Sequence, residues 1–396
     1  MKKIYLKDGF IFEELGIKYY GPINGHDYNE LLTYLNLAKK EDEPVLIHVI
    51  TKKGYGYNYA MEDKEGIWHG IGPFDKETGK LLNSNNLPTW SEVISNNLIR
   101  LTKKNNNIMV ITPAMTTGSK LVKYKEMYPD NFIDAGIAEE HALVLANGLS
   151  LEGIIPFVSI YSTFLQRGYD EVNHDIARMS SHVILLVDRC GIVGEDGDTH
   201  QGIYDISFLM SIPNMIITSP KDSIETADLM YTAYLQKSPF AIRYSKERLE
   251  YKEKEYRIIP IGSWEELSKG KDYVIISYGD FLNNSIEIKE KLKKYNINLG
   301  IINARYIKPI DNEMFRYLLD NYKKIYIYEE STQINSLGSY LVNIANQYNH
   351  KGEIKIFAIP DEFIPHGKKS EILKELKLDV NSIVNEIKGD KNKDDN

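Results

Sequence analysis

Val183-Ile184-Leu185-Leu186-Val187 is apolar without alternation. A short run of that kind reads as a strand buried on both faces, as in a parallel sheet. It leads directly into the polar, glycine-rich stretch Asp188-Arg189-Cys190-Gly191-Ile192-Val193-Gly194-Glu195-Asp196-Gly197-Asp198-Thr199-His200-Gln201-Gly202. Ligands of open parallel sheets bind outside the carboxyl ends of the strands. Arg189, Asp196 and His200 therefore stand where such folds do chemistry. Gly/Asp-rich composition also marks an ordinary surface loop, and this stretch alone leaves the two readings even.

The surrounding pattern extends the parallel-sheet reading. From Thr89 to Tyr244, strands at Ile108–Ile111, Phe132–Ala135, Pro156–Ile160, Val183–Val187, Met215–Ser219 and Phe240–Tyr244 alternate with helices at Trp90–Thr102 (Ser91 a cap), Ala138–Leu151, Phe164–Arg178 and Ile224–Gln236. That alternation implies an α/β fold with helices on both sheet faces. After a charged linker, Ser245–Tyr256, a further α/β unit has strands at Tyr273–Ser277, Leu299–Ile302, Lys324–Tyr328 and Ile354–Ala358. Helices there start near Asn283, Asn312, Gln333 and Ser370. Its strand ends are poor in polar clusters; Glu329-Glu330-Ser331 is the richest and reads as structural or interfacial. Before Thr89, a helix end at Ile11–Leu15, a strand at Ile17–Tyr20, a turn at Gly21–Gly25, a helix capped by Asp27 and a strand at Pro44–Ile50 make too few βα units to close a sheet. Ala60–Pro88 reads as a linker in which Trp68-His69 marks packing. The expected division is 1–80, 81–250, 251–389 and a disordered tail, 390–396.

The net charge of −8 argues against a nucleic-acid or anionic-membrane partner. Any anionic ligand must then be held by local cations. No run reaches membrane-spanning length, and Met1-Lys2-Lys3-Ile4-Tyr5 lacks the apolar core of a signal peptide. A single cysteine, Cys190, excludes an internal disulfide and fits a reducing, cytoplasmic location. As a nucleophile Cys190 is disfavoured, because a catalytic thiol needs a positioned base.

Three arginines fall at strand ends: Arg167 in Tyr161-Ser162-Thr163-Phe164-Leu165-Gln166-Arg167, Arg189, and Arg243. Isolated arginines are usually solvated, but guanidinium forks match carboxylate and phosphate oxygens. Three at one sheet edge point to a small anionic, phosphorylated substrate. Glu139-Glu140-His141 opens a helix, where acids also simply complement the helix dipole. Lys53 in Thr51-Lys52-Lys53-Gly54 reads equally as a phosphate contact or a solvated lysine. His69 taken alone reads as structural.

Together these stretches, with Gly21-Pro22-Ile23-Asn24-Gly25-His26-Asp27, Ile111-Thr112-Pro113-Ala114-Met115, Ile137-Ala138-Glu139-Glu140-His141-Ala142 and Ala241-Ile242-Arg243-Tyr244, resemble the 1-deoxy-D-xylulose-5-phosphate synthases. These are thiamine-diphosphate enzymes of the transketolase superfamily. The resemblance runs in family order from near Phe10 to near Leu376. It implies a pyrimidine-binding domain, a transketolase-type carboxyl-terminal domain and a partial βα piece of the first domain. It implies decarboxylating condensation of pyruvate with glyceraldehyde 3-phosphate, the first step of non-mevalonate isoprenoid precursor synthesis and a source for thiamine biosynthesis. By the same resemblance Glu139 hydrogen-bonds the cofactor aminopyrimidine, Phe164 stacks on it, and Met115 and Lys53 belong to the cofactor site. Arg167, Tyr161 and His200 hold the pyruvate-derived carboxylate; Arg189 and Arg243 bind the phosphate. Asp196 and His200 line the reacting carbons, and His69 matches an active-site position.

One departure accompanies the match. The family's Gly-Asp-Gly motif and downstream Asn, which hold Mg2+ and through it the diphosphate, have no counterpart here. The expectation is therefore a chain lacking most of the diphosphate-binding domain and inactive alone. It would work as a homodimer or in a complex with a chain supplying the missing part. A pyrimidine-binding subunit of a transketolase or 2-oxo-acid dehydrogenase, and a non-catalytic assembly remnant, are the alternatives.

Overall fold

The computed structural model describes residues 9–63, 66–82 and 86–394. The chain divides into two compact units, 1–85 and 86–396. Met1–Tyr5, read above for a signal peptide, lies outside the described residues.

In the first unit, β1 (Lys18–Asn24) and β2 (Val45–Ile50) pair in parallel around the helix Tyr28–Ala38. Asp27 caps that helix, its carboxylate accepting from the Asn29 and Glu30 amides. The turn expected at Gly21–Gly25 starts only at Gly25. Pairing with β2 carries Gly21-Pro22 through the strand, and a register shift between Tyr20 and Ile23 absorbs the irregularity. Ile23 is this unit's one buried residue among those described, while Leu32, Leu35, Leu37 and Ile50 are exposed. Two strands and a helix hold no core of their own. Trp68 packs edge-on against Tyr57 and Phe74, so the Trp-His segment is indeed packed.

The second unit holds two sheets. β3 (Ile108–Thr112), β4 (Phe132–Asp134), β5 (Ile155–Tyr161), β6 (Ile184–Asp188), β7 (Ile216–Thr218) and β8 (Phe240–Arg243) run parallel in the order β7-β8-β6-β5-β3-β4. Val183 to Val187 are fully buried. Truncating one of those leucines to alanine costs about 2–5 kcal/mol. The second sheet joins β9 (Glu265–Ser268), β10 (Tyr273–Ser277) and β11 (Leu299–Asn303) with β13 (Lys324–Thr332) and β14 (Glu353–Ile359) in the order β14-β13-β10-β11-β9. The short β12 (Tyr306–Lys308) leaves it to pair antiparallel with β7, at the edge of the first sheet. β9 and β12 are antiparallel, and three or four residues carry too little periodicity to be found from sequence.

Three local expectations are corrected. Thr89, not Ser91, caps the helix Trp90–Thr102, in a capping box with Glu92. The Ser91 hydroxyl instead donates to Asp188, 2.9 Å away. The helix expected over Phe164–Arg178 is broken into an α turn (Ser162–Leu165), a 3-10 turn (Gln166–Gly168) and a wide π turn (Glu171–Ala177). Gly168 allows the close approach of Leu143 there, since a Cβ would sit 2.1 Å from Leu143 Cδ1. The expected disordered tail is helical over residues 390–394, and 395–396 lie outside the described residues. A helix runs from Val380 to Asp394, and buried Asp390 accepts from Lys355 (3.3 Å) and Tyr326 (3.3 Å).

Candidate functional site

The carboxyl ends of β5 and β6 set Tyr161 opposite Asp188, with Arg189 next in the chain. Arg189 has a positive φ of 58°, which non-glycine residues rarely adopt. The loop neck holds it there: Gly191 and Gly202 exchange backbone hydrogen bonds of 2.6 and 2.8 Å. A side chain at Gly202 would run into the Arg189 carbonyl oxygen, 2.0 Å from its Cβ position.

From this position the Arg189 guanidinium lies 4.1 Å over the Tyr161 ring, and its Nη1 donates to Asp196 Oδ2 at 2.6 Å. Lys246 Nζ donates to the other Asp196 oxygen at 2.5 Å. Burial pushes the Asp196 carboxyl upward, but the Lys246 hydrogen bond and the Arg189 charge outweigh it and hold it below the usual carboxylate range. Burial also pushes the Tyr161 phenol up to about 12 against the Arg189 charge, so the hydroxyl remains a donor at neutral pH.

A second group adjoins the first. Phe164 stacks against Tyr161 at 5.8 Å and meets His200 edge-on at 5.4 Å. Thr163 ties this turn to the loop by donating to the Thr199 carbonyl at 2.9 Å. Arg167 lies over the Phe164 ring at 4.9 Å and donates to Glu139 Oε1 at 2.7 Å. Glu139 opens its helix and is 3% exposed, whereas Arg167 stays largely open to solvent. Met115 is buried beneath, its sulfur accepting the Tyr161 amide at 3.3 Å. Contacts thus link Glu139, Arg167, Phe164, Tyr161, Met115, Arg189, Asp196 and His200 at one sheet edge.

Arg243 does not join them. It shares the edge through β8, but its register partner is Val187, one residue short of Asp188. Its guanidinium is buried on Asp205 (2.8 and 3.3 Å) and faces the Tyr278 ring. The cation that joins Arg189 on Asp196 is Lys246, three residues after Arg243. It was missed because it begins the charged stretch read as a linker, where a lysine normally means solvation. Lys53 and His69 meet one another in the first unit, 3.3 Å apart. Cys190 is buried beside Asp205, and burial pushes its thiol well up, the reverse of an activated nucleophile. Among the described residues no group of three His, Cys, Asp or Glu side chains is arranged to hold a metal ion, and no helix is long and apolar enough to cross a membrane.

The family models that match are the transketolase pyrimidine-binding domain over residues 87–252, the transketolase carboxyl-terminal domain over 262–383, and 1-deoxy-D-xylulose-5-phosphate synthase over 1–51. A 1-deoxy-D-xylulose-5-phosphate synthase of Listeria monocytogenes is 45% identical over 96% of this chain. Over nearly all of its length the chain is similar to 1-deoxy-D-xylulose-5-phosphate synthases. The synthase of a Geobacillus species is 43% identical over 98% of the chain. The chain spans 63% and 62% of the length of these two relatives. Among solved structures, an inactive β4 tetramer of a split-gene transketolase superposes with TM-score 0.67 at 22% identity, covering 75% of this chain and 95% of that one. Campylobacter jejuni transketolase gives 0.64 at 18% identity, covering 97% of this chain and 69% of its own. At those identities the likeness speaks for the fold.

Proposed function

We propose that this chain carries the pyrimidine-binding and substrate-binding share of a 1-deoxy-D-xylulose-5-phosphate synthase, acting on pyruvate and glyceraldehyde 3-phosphate. The observation that carries the reading is the contact chain from Glu139 through Arg167, Phe164 and Tyr161 to Arg189 and Asp196. Thiamine diphosphate, when bound, supplies the carbanion-forming carbon that lets a 2-oxo acid lose CO2.

A buried carboxylate beside an aromatic face suits the pyrimidine end of that cofactor. Glu139 accepts the hydrogen bond of the aminopyrimidine, Phe164 packs on the ring, and Met115 backs the site. The exposed face of Arg167, with the Tyr161 hydroxyl and His200, receives the substrate carboxylate. Arg189 and Lys246 receive the phosphate, which takes their hydrogen bonds over from Asp196. Asp196 and His200 move protons at the reacting oxygens. The residue ranges 81–250 and 251–389 act as the two functional domains.

The diphosphate end needs a hard cation with oxygen ligands. Its Mg2+ ligands come from a different chain that carries them, within a complex. The exposed Leu32, Leu35, Leu37 and Ile50 of the first unit favour association. A cytoplasmic location completes the reading. The test mixes this chain with the amino-terminal part of a relative's synthase, thiamine diphosphate, Mg2+ and both substrates. 1-Deoxy-D-xylulose 5-phosphate forms, and Glu139→Ala abolishes it; unchanged turnover by that variant refutes the assignment.

A further inference from the structure

The loop that carries Arg189, Asp196 and His200 is fastened to the five-stranded layer. Glu330 on β13 is 5% exposed, and its Oε1 accepts the Ile192 amide at 2.9 Å and the Lys369 ammonium at 2.8 Å. Its carboxyl group lies against Gly191, where a Cβ would be 2.4 Å from the carboxyl carbon. Gly194 packs as closely on the Gly367 carbonyl, 2.6 Å from its Cβ position. Gln201 bridges the loop to the same layer, accepting from the Val193 amide (3.0 Å) and donating to the Pro365 carbonyl (3.3 Å). The Ile203 carbonyl accepts from the Thr332 amide at 3.0 Å and the Ser331 hydroxyl at 3.1 Å. The functional reading leaves Glu330 and Lys369 unused.

We propose that Glu330 is a positioning residue: with Lys369 as its counter-ion, it clamps the neck of the 191–202 loop to the carboxyl-terminal layer and so fixes where Arg189 and Asp196 stand. The role of that layer is then to hold the binding loop in register. This rests on the reading that Arg189, with Lys246, is the anion-binding edge. A buried carboxylate that holds both an amide and an ammonium is an expensive arrangement to retain unless its geometry matters. Two close glycine approaches on the same loop show that the fit leaves no room for slack.

The test compares the full chain, Glu330→Ala and Glu330→Gln by amide hydrogen exchange and by titration with glyceraldehyde 3-phosphate. Glu330→Ala raises exchange across 191–203 by about tenfold or more, the worth of one hydrogen bond to a charged acceptor. It leaves β5 and β6 protected and weakens triose phosphate binding by a similar factor. Glu330→Gln keeps an oxygen for the Ile192 amide and restores most of the protection. Unchanged loop exchange in Glu330→Ala, or a rise spread evenly over the second unit, overturns the proposal. Should Glu330→Ala not fold, Gly191→Ala displaces the carboxylate sterically and reads the same loop: faster local exchange supports the clamp, unchanged exchange overturns it. If the unaltered chain fails to bind glyceraldehyde 3-phosphate, the anion-site reading falls, while the exchange comparison still decides the clamp.

Discussion

Asp188 precedes Arg189 at the end of β6 and has no exposed surface. Burial raises its carboxyl from an ordinary 3.8 to about 6, against the lowering effects of the Arg189 charge and the Ser91 and Ser119 hydroxyls. The sign follows from linkage. Between about pH 4 and pH 6 the folded chain holds a proton at Asp188 that the unfolded chain has lost, so this group's contribution to stability is full below pH 4 and declines as pH rises through 6. A difference of roughly 2 units at 1.36 kcal/mol each makes the decline about 3 kcal/mol. Asp188→Asn removes the titration while keeping an oxygen for Ser91. Urea unfolding at half-unit steps from pH 4 to 7.5, followed by the fluorescence of buried Trp90 and Trp264, gives the stability of each form. The variant gains on the unaltered chain by about 3 kcal/mol across that range, with most of the change between pH 4 and 6. A difference that stays constant with pH, or that narrows as pH rises, refutes the reasoning.

Further outcomes are expected. Arg243→Met leaves Asp205 charged and buried, and costs about 3–5 kcal/mol of stability; Arg189→Met, at a partly exposed pair, costs about 1 kcal/mol or less in the same unfolding assay. Gly118→Ala puts a Cβ 1.8 Å from the Tyr161 hydroxyl, so the phenol must leave the Arg189 face. The melting temperature then falls, with a stability loss of about 1–3 kcal/mol, and substrate binding measured by calorimetry weakens with it. Arg167→Met strips buried Glu139 of its ion-pair partner, and a binding titration with pyruvate shows reduced affinity.

The parallel α/β fold was legible because strands such as Val183–Val187 are apolar throughout and end in polar loops, a signal that depends only on burial. The helices with strong caps, Tyr28–Ala38 behind Asp27 above all, were equally open to reading. What escaped depends on contacts distant in sequence. β12 exists because it finds the free edge of β7, and the turn expected at Gly21-Pro22 is overridden by pairing with β2. At the site, chain order placed Tyr161, Arg167 and Arg189 at strand ends. It carried no information on which way Arg243 turns, since that is settled by buried Asp205 thirty-eight residues away in sequence. Lys246 was hidden by its charged neighbours, and Glu330 by lying on a different sheet from the loop it holds.

In the proposed function Arg189 and Lys246, rather than Arg243, form the anion-binding edge of this site. Calorimetric titration of glyceraldehyde 3-phosphate into the chain and into Arg189→Met, Lys246→Met and Arg243→Lys tests it directly. The first two variants lose binding, while Arg243→Lys, with its buried charge kept for Asp205, retains it wherever it folds. Binding that survives loss of Arg189 and Lys246 but disappears with Arg243→Lys shows that the phosphate sits on Arg243 instead.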